Sequence, residues 1–217
     1  MHFSSSIPIA RALDPKNEVV LAYAQDGEKI PEDHGYPLRL VVPGYIGIRN
    51  AKWVSKIEIS DEEATSHMQR RDYKWIEEAD WSKINLADYP SLMGSVQNSC
   101  ICYPKDGETI TLSKDSNSFS IKGYAHGDGE KGTNISKVQV STDGGATWND
   151  AKITHQEVKP KDSKVFSWVL WKYHVKVNKD MTEISPRVRC VSDEGTVQDG
   201  RAEDMFNVRG LFNTTAH

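Results

Sequence analysis

Three side chains able to carry positive charge, His34, Arg39 and Lys52, fall in one short stretch, HGYPLRLVVPGYIGIRNAKWVSKI, running from His34 to Ile57. Arg39 stands inside an apolar, β-branched run, Leu38–Val42, which predicts a short strand closed by Pro43-Gly44. A second turn, Gly44–Gly47, leads past Arg49 and Lys52 to an alternating segment, Trp53–Ile59, predicted as another strand. Cations carried on strands between tight turns are well suited to holding an anion. A guanidinium offers a planar fork and an ammonium a compact charge, and rigid elements fix both. The plain alternative is a turn histidine beside two cations lying along the surface.

The same stretch resembles the molybdopterin-binding segment of the sulfite oxidase family, which also includes assimilatory nitrate reductases. That pattern, D-H-G-[FY]-P-x-R-x-V-x-P-G-x-x-G-x-R-x-x-K-W, is filled here by Asp33-His34-Gly35-Tyr36-Pro37, Arg39, Val41, Pro43-Gly44, Gly47, Arg49 and Lys52-Trp53. The resemblance implies that His34, Arg39, Asn50, Ala51 and Lys52 contact a molybdenum–molybdopterin cofactor. It extends to Gln69-Arg70-Arg71-Asp72-Tyr73-Lys74, whose tyrosine stands beside the metal in the family and handles substrate and protons. It also extends to Asn207-Val208-Arg209-Gly210, like the family's N-L-R-G, whose arginine reaches the substrate pocket. Tyr73 and Arg209 are thereby the implied catalytic residues. A phenol donates without charge, and a guanidinium fits two oxygens of sulfite or sulfate.

The implied reaction moves an oxygen atom to sulfite, giving sulfate, with the cofactor performing the redox step. The resemblance further implies a homodimer, and points to the mitochondrial intermembrane space, a compartment the residues themselves do not specify. The family's molybdenum-ligating cysteine precedes the region represented here, and Cys100, Cys102 and Cys190 stand in no matching context. The chain alone is therefore expected to be inactive, because thiolate ligation is hard to replace with harder donors. Rival readings are a non-catalytic dimerisation module and a nitrate reductase-type fragment. The segment Ser141-x-Asp143-x-Gly145-x-Thr147-Trp148 also matches an aspartate-box hairpin, but it occurs once and reads as a structural turn.

The elements that must position these residues fall into two regions. Residues 1–95 are predicted as a partial α+β segment, the C-terminal part of a molybdopterin-binding domain by the resemblance. It holds a helical turn over Pro8–Leu13, a strand over Val19–Tyr23, a capping-box helix start at Ser60–Glu63 and an extended connector over 75–95. Residues 96–217 change character. Short alternating runs at Ile110–Leu112, Phe119–Tyr124, Ile135–Ser141, Phe166–Trp171, Val188–Val191 and Phe206–Leu211 predict an immunoglobulin-like β-sandwich, like the family's dimerisation domain. The chain is thus expected to be mainly β.

The 217 residues are 37% hydrophobic and 27% charged with a net charge of −4, which gives no argument for nucleic acid or membrane binding. No apolar run approaches membrane-spanning length. The three cysteines are expected to be reduced.

Overall fold

A computed structural model describes residues 3–112, 116–160, 162–198 and 206–212. The chain divides into two compact units, one of Met1–Ser95 with Phe206–Phe212, the other of Val96–Met205 with Asn213–His217. The architecture is mostly β with short helical turns.

The first unit opens with α1 (Ile9–Leu13), which follows Pro8, the residue type that pre-sets the entry to a helix. Strand β1 (Val20–Ala22) pairs antiparallel with β4 (Arg39–Val41), Leu21 opposite Leu40 and Ala22 opposite Arg39. Between them β2 (Ala24–Gln25) and β3 (Glu28–Lys29) form a hairpin. Its turn, Asp26-Gly27, takes φ of +53° and +82°, the left-handed pair that a two-residue hairpin demands. Residues 50–54 run along the other side of β4, with Leu40 N donating to Ala51 O at 2.8 Å and Val54 N to Leu38 O at 2.9 Å. Apolar burial is sparse: Ile30, Val42, Tyr45 and Ile76 are interior, and so are the polar side chains of Arg11, Asn17, Arg49, Gln69 and Lys74.

The second unit holds two antiparallel sheets. One has the order β5 (Asn98–Tyr103), β6 (Ser118–His126), β10 (Val169–Lys176), β9 (Lys152–His155). The other has β11 (Arg187–Ser192), β7 (Ile135–Ser141), β8 (Asn149–Asp150). Alternate residues of both sheets enter one apolar core: Ile121, Ala125, Val169, Trp171 and Val175 from the first, Ile135, Val138, Val140, Val188 and Cys190 from the second. Trp171 is its largest member and satisfies its indole N–H on Tyr124 O at 3.0 Å. Gly123 makes room for it. A Cβ there would overlap the Cys100 carbonyl and come within 2.5 Å of the Trp171 ring.

Three predicted strands do not form. Trp53 adopts φ +54°, and Ile57 and Ile59 beyond it are 67% and 83% exposed. The backbone bond at Val54 is followed by no strand partner, so alternation alone has nothing to pair with. Ile110–Leu112 likewise lies in no strand among the described residues. Phe206–Leu211 is a compact turn in the first unit, not a strand of the second. The Asn207 side chain closes it, its Nδ2 donating to Leu211 O at 2.7 Å and its Oδ1 accepting from Leu211 N at 2.9 Å. The expected helix at Ser60–Glu63 is also absent: Ser60 Oγ accepts only from Glu62 N, at 3.1 Å. The helical turn starts later, with Ser66 Oγ accepting from Gln69 N, and its body, Met68–Asp72, is π-helical. The connector over 75–95 contains two 3-10 turns, Trp81–Lys83 and Leu86–Asp88, started by the side chains of Asp80 and Asn85.

Candidate functional site

The motif stretch closes on itself. Pro31 starts a 3-10 turn, Glu32–His34, and Gly35 ends it at φ +113°. Gly35 N closes the turn on Glu32 O at 3.0 Å, which leaves that carbonyl one lone pair and those of Asp33 and His34 without a partner in the turn. Each is taken by a motif side chain: Trp53 Nε1 donates to Glu32 O at 2.9 Å, Lys52 Nζ to Asp33 O at 2.7 Å, and Arg39 Nη1 to His34 O at 3.0 Å. Gly35 lets the two cationic stems approach, since a Cβ there would stand 3.0 Å from the Cβ atoms of both Arg39 and Lys52. The Lys52 ammonium also lies 4.6 Å from the centre of the Trp53 ring.

These contacts leave capacity unused. No carboxylate pairs with Arg39 or Lys52 among the described residues, and the buried Arg39 Nε has no hydrogen-bond partner there. The exposed His34 imidazole makes no hydrogen bond among those residues either. Two fixed cations with spare donors, and no counter-charge among the described residues, have the chemistry that an anion needs. That donor set fits the phosphate end of a pterin cofactor.

Asn50 and Ala51 contribute differently. Asn50 Oδ1 accepts from Val42 N at 2.7 Å, and its Nδ2 donates to Tyr45 O at 3.2 Å and Ile46 O at 3.1 Å. Its side chain is spent tying β4 to the Gly44–Gly47 turn. Ala51 gives its carbonyl to Leu40. What these two residues could offer a ligand is main chain.

Tyr73 ends the π-helical turn, half-buried, with its carbonyl accepting from Leu92 N at 2.9 Å. Arg209 docks on the residues just before it. Its Nη2 donates to Arg71 O at 3.1 Å, its Nη1 lies 3.8 Å from Asp72 Oδ1, and its guanidinium sits 5.3 Å from the Trp81 ring centre. Asp72 also receives His67 Nδ1 at 2.8 Å. Arg209 therefore docks on the turn that Tyr73 ends, and it already has an acidic partner. No hydrogen bond or ion pair among the described residues joins this pair to the cation cluster.

Sequence reasoning missed the buried hub between these parts. Arg49 is wholly buried: its Nε donates to Leu92 O at 2.8 Å and its Nη1 to Gln69 Oε1 and, at 3.2 Å, to Ser5 Oγ. Gln69 Nε2 passes the link to Glu63 Oε2 at 2.9 Å. Burial lowers the Arg49 pKa, opposed by Glu63, Tyr73 and Tyr45. Burial pushes the Glu63 carboxyl up, but hydrogen bonds from Gln69 and Ser91 and the charges of Lys74 and Arg70 outweigh it, so it ends below its ordinary range. Arg49 stands in the motif, and that was the one signal that could have found it.

Two sequence profiles match this chain: the oxidoreductase molybdopterin binding domain over residues 1–68 and the Mo-co oxidoreductase dimerisation domain over residues 91–217. The chain belongs to the molybdopterin oxidoreductase family. It carries the C-terminal part of the molybdenum domain followed by the dimerisation domain, and it is related to sulfite oxidase-type enzymes. Human mitochondrial sulfite oxidase is 38% identical over 99% of this chain, which spans 38% of that protein. Sulfite oxidase of Arabidopsis thaliana is 34% identical, with 54% of its length covered, and nitrate reductase [NADH] 1 of the same plant is 30% identical, with 23% covered. Among solved structures, the sulfane dehydrogenase SoxCD of Paracoccus pantotrophus superposes with a TM-score of 0.77 at 26% identity, over 97% of this chain and 49% of that one. The chain thus spans well under two thirds of these relatives. Family membership implies a molybdenum–molybdopterin cofactor in the full enzyme. Among the described residues no group of three or more His, Cys, Asp or Glu side chains could hold a metal ion, and no helix is long and apolar enough to cross a membrane.

Proposed function

We propose that this chain is the C-terminal portion of a sulfite oxidase-type molybdoenzyme that oxidises sulfite to sulfate. The observation that carries the reading is the cation cluster: Arg39 and Lys52 fixed on the carbonyls of a turn, with no carboxylate paired to them among the described residues. In this reading His34, Arg39 and Lys52 hold the phosphate end of the cofactor, and the main chain of Asn50 and Ala51 lies against it. The bound cofactor supplies the two-electron redox chemistry and the oxygen-atom transfer. Tyr73 donates a neutral hydrogen bond to the sulfite anion, and Arg209 adds positive potential near it. All three cysteines belong to the second unit, so the unit bearing the cations offers no thiolate of its own. The isolated chain is expected to hold no stoichiometric molybdenum and to leave sulfite unoxidised.

The second unit we read as an immunoglobulin-like sandwich that dimerises the protein. The order β5-β6-β10-β9 corresponds to strands A-B-E-D of that fold, and β11-β7 to F-C. The 30% identity to a nitrate reductase keeps nitrate as the second oxyanion to assay.

The test uses an enzyme of full family length carrying this chain. Arg39→Met with Lys52→Met should lower bound pterin, read by its fluorescence after release, in protein that remains folded by far-UV circular dichroism. Retention of a full cofactor complement would overturn the assignment. In the same enzyme, Arg209→Gln should lower kcat/KM for sulfite by about 2–5 kcal/mol equivalent. A rate with nitrate exceeding that with sulfite would replace the proposed substrate.

A further inference from the structure

Away from the cation cluster, one face of the four-stranded sheet in the second unit carries a thiol pair that the proposed function does not use. Cys100 and Cys102 are both on β5 and both free, Cys100 partly buried and Cys102 exposed. In a regular strand, residues two apart share a face but lie about 6.6 Å from one another along it. That is near the upper limit for the Cα atoms of a disulfide. Here the strand is not regular. Cys100 pairs with Tyr124, Ile101 with Gly123 and Tyr103 with Lys122, so three steps on β5 cover two on β6. Cys102 is the inserted residue of a β-bulge. The bulge bends the strand and compresses the span from Cys100 to Tyr103 into the length of two residues on β6, so the spacing of about 6.6 Å in regular pleating is an upper bound along this stretch.

The surroundings agree. Burial and the adjacent Cys100 thiol raise the Cys102 pKa, and burial with the same two thiols raises that of Tyr124, so the two sulfurs and the phenol form one contiguous group. Cys102 lines a cleft of about 460 Å³ with Lys122, Tyr124, Trp168, Leu170 and Lys172, open enough to admit a small oxidant. The Tyr124 ring stacks on Trp168 at 4.4 Å between centroids. Cys190, by contrast, is sealed in the core, away from the cleft that could admit an oxidant.

We propose that Cys100 and Cys102 form a two-electron thiol–disulfide couple, oxidised by a hydroperoxide that enters the aromatic cleft. One thiolate attacks the peroxide oxygen, the O–O bond breaks, and an alcohol or water leaves with a sulfenic acid on the sulfur. The second thiol attacks that sulfur, the S–O bond breaks and water leaves, giving the disulfide. Two electrons pass from the sulfurs to one peroxide, and no other reactant is needed. The couple is independent of the cofactor reading.

The experiment treats the reduced 217-residue chain, at micromolar concentration, with an equivalent of hydrogen peroxide and then blocks remaining thiols with N-ethylmaleimide. Tryptic cleavage after Lys83 and Lys105 places both cysteines on one peptide. That peptide should lose two hydrogens and take no maleimide, and reduction should restore both alkylation sites. An effective concentration in the millimolar range should favour the internal disulfide over an intermolecular one by about a hundredfold or more. Cys102→Ser should abolish the internal product and leave a dimedone-trappable sulfenic acid at Cys100, whereas Cys190→Ser should change nothing. Sulfinic or sulfonic acid on the wild-type peptide, predominant intermolecular crosslinks, or two thiols still alkylatable after peroxide would each overturn the proposal.

Discussion

The two units are held together by different forces. The second buries an apolar core drawn from both sheets, whose members enter by strand alternation except where β7 slips register between Ile135 and Val138. The first buries few apolar side chains and closes instead around polar ones: Arg49, Gln69, Lys74, Arg11 and Asn17. An apolar core tolerates shifts of contact, since dispersion is non-directional. A buried guanidinium does not, because each donor needs an acceptor at fixed geometry. The lesson is that the unit bearing the candidate site is specified by a few exact pairings, while its neighbour is specified by volume and pattern.

The sharpest way to break this contrast is Trp171→Ala. Deleting the largest core side chain should cost about 3–5 kcal/mol. Hydrogen exchange should show the loss confined to residues 98–198; equal loss of protection in 3–95 would mean the units unfold as one. Arg49→Met should cost less, about 1–3 kcal/mol, because it strands the Leu92 carbonyl without a donor and leaves Gln69 Oε1 with only the Ser6 amide. Adding Gln69→Leu removes the side chain bonded directly to Arg49, and the double-mutant cycle by urea denaturation should show coupling of about 0.5–3 kcal/mol. A coupling near zero would remove the hub from the account.

Acid and alkali should then separate the units. The Glu63 carboxyl is held below its ordinary 4.5, so its contribution is present above that pH and is lost as pH falls through the lower folded value. The Cys190 thiol is raised from 9.0 to about 12, so its contribution is present below 9.0 and is lost as pH rises toward 12. Glu63→Gln should flatten the acid limb of the first unit, and Cys190→Ala the alkaline limb of the second, in pH-resolved hydrogen exchange. Either substitution flattening the opposite limb would contradict the assignment. The smallest effect belongs to Asp72→Asn, which weakens partly exposed pairs with His67 and Arg209. A change within about 1 kcal/mol is expected, and it should shrink further in high salt.

What the sequence made legible follows the same division. Lys137-Val-Gln-Val-Ser141 alternates apolar and polar, and it forms β7 over the predicted Ile135–Ser141. Asp143-Gly144-Gly145 reads as a hairpin turn and is one, with Asp143 accepting from Thr147 N at 2.9 Å and from its hydroxyl. The stretch from Asp33 to Trp53 stands out in the sequence as a candidate site because its residue types are unusual in company. Its mechanics were not: nothing in the letters says that Trp53, Lys52 and Arg39 reach back to three successive carbonyls, or that the Asn50 amide turns inward. Arg49 was read past for a physical reason. A charged residue is ordinarily at the surface, and its burial rests on Leu92, Gln69 and Ser5, acceptors far along the chain. Phe206–Leu211 failed for the converse reason: its apolar letters suit a strand, but one asparagine side chain satisfies the backbone locally and curls it.

The clasp of three side chains on the Glu32–His34 carbonyls also bears on kinetics. A receptor whose arms are tied down before the guest arrives loses little conformational entropy on loading. Uptake of an anionic guest by the first unit should therefore proceed by collision rather than by slow rearrangement. Its bimolecular rate constant should fall as ionic strength rises, because attraction to Arg39 and Lys52 guides the approach. Stopped-flow mixing with a phosphorylated pterin would reveal this directly, and a rate that saturates with ligand concentration would instead expose a gate.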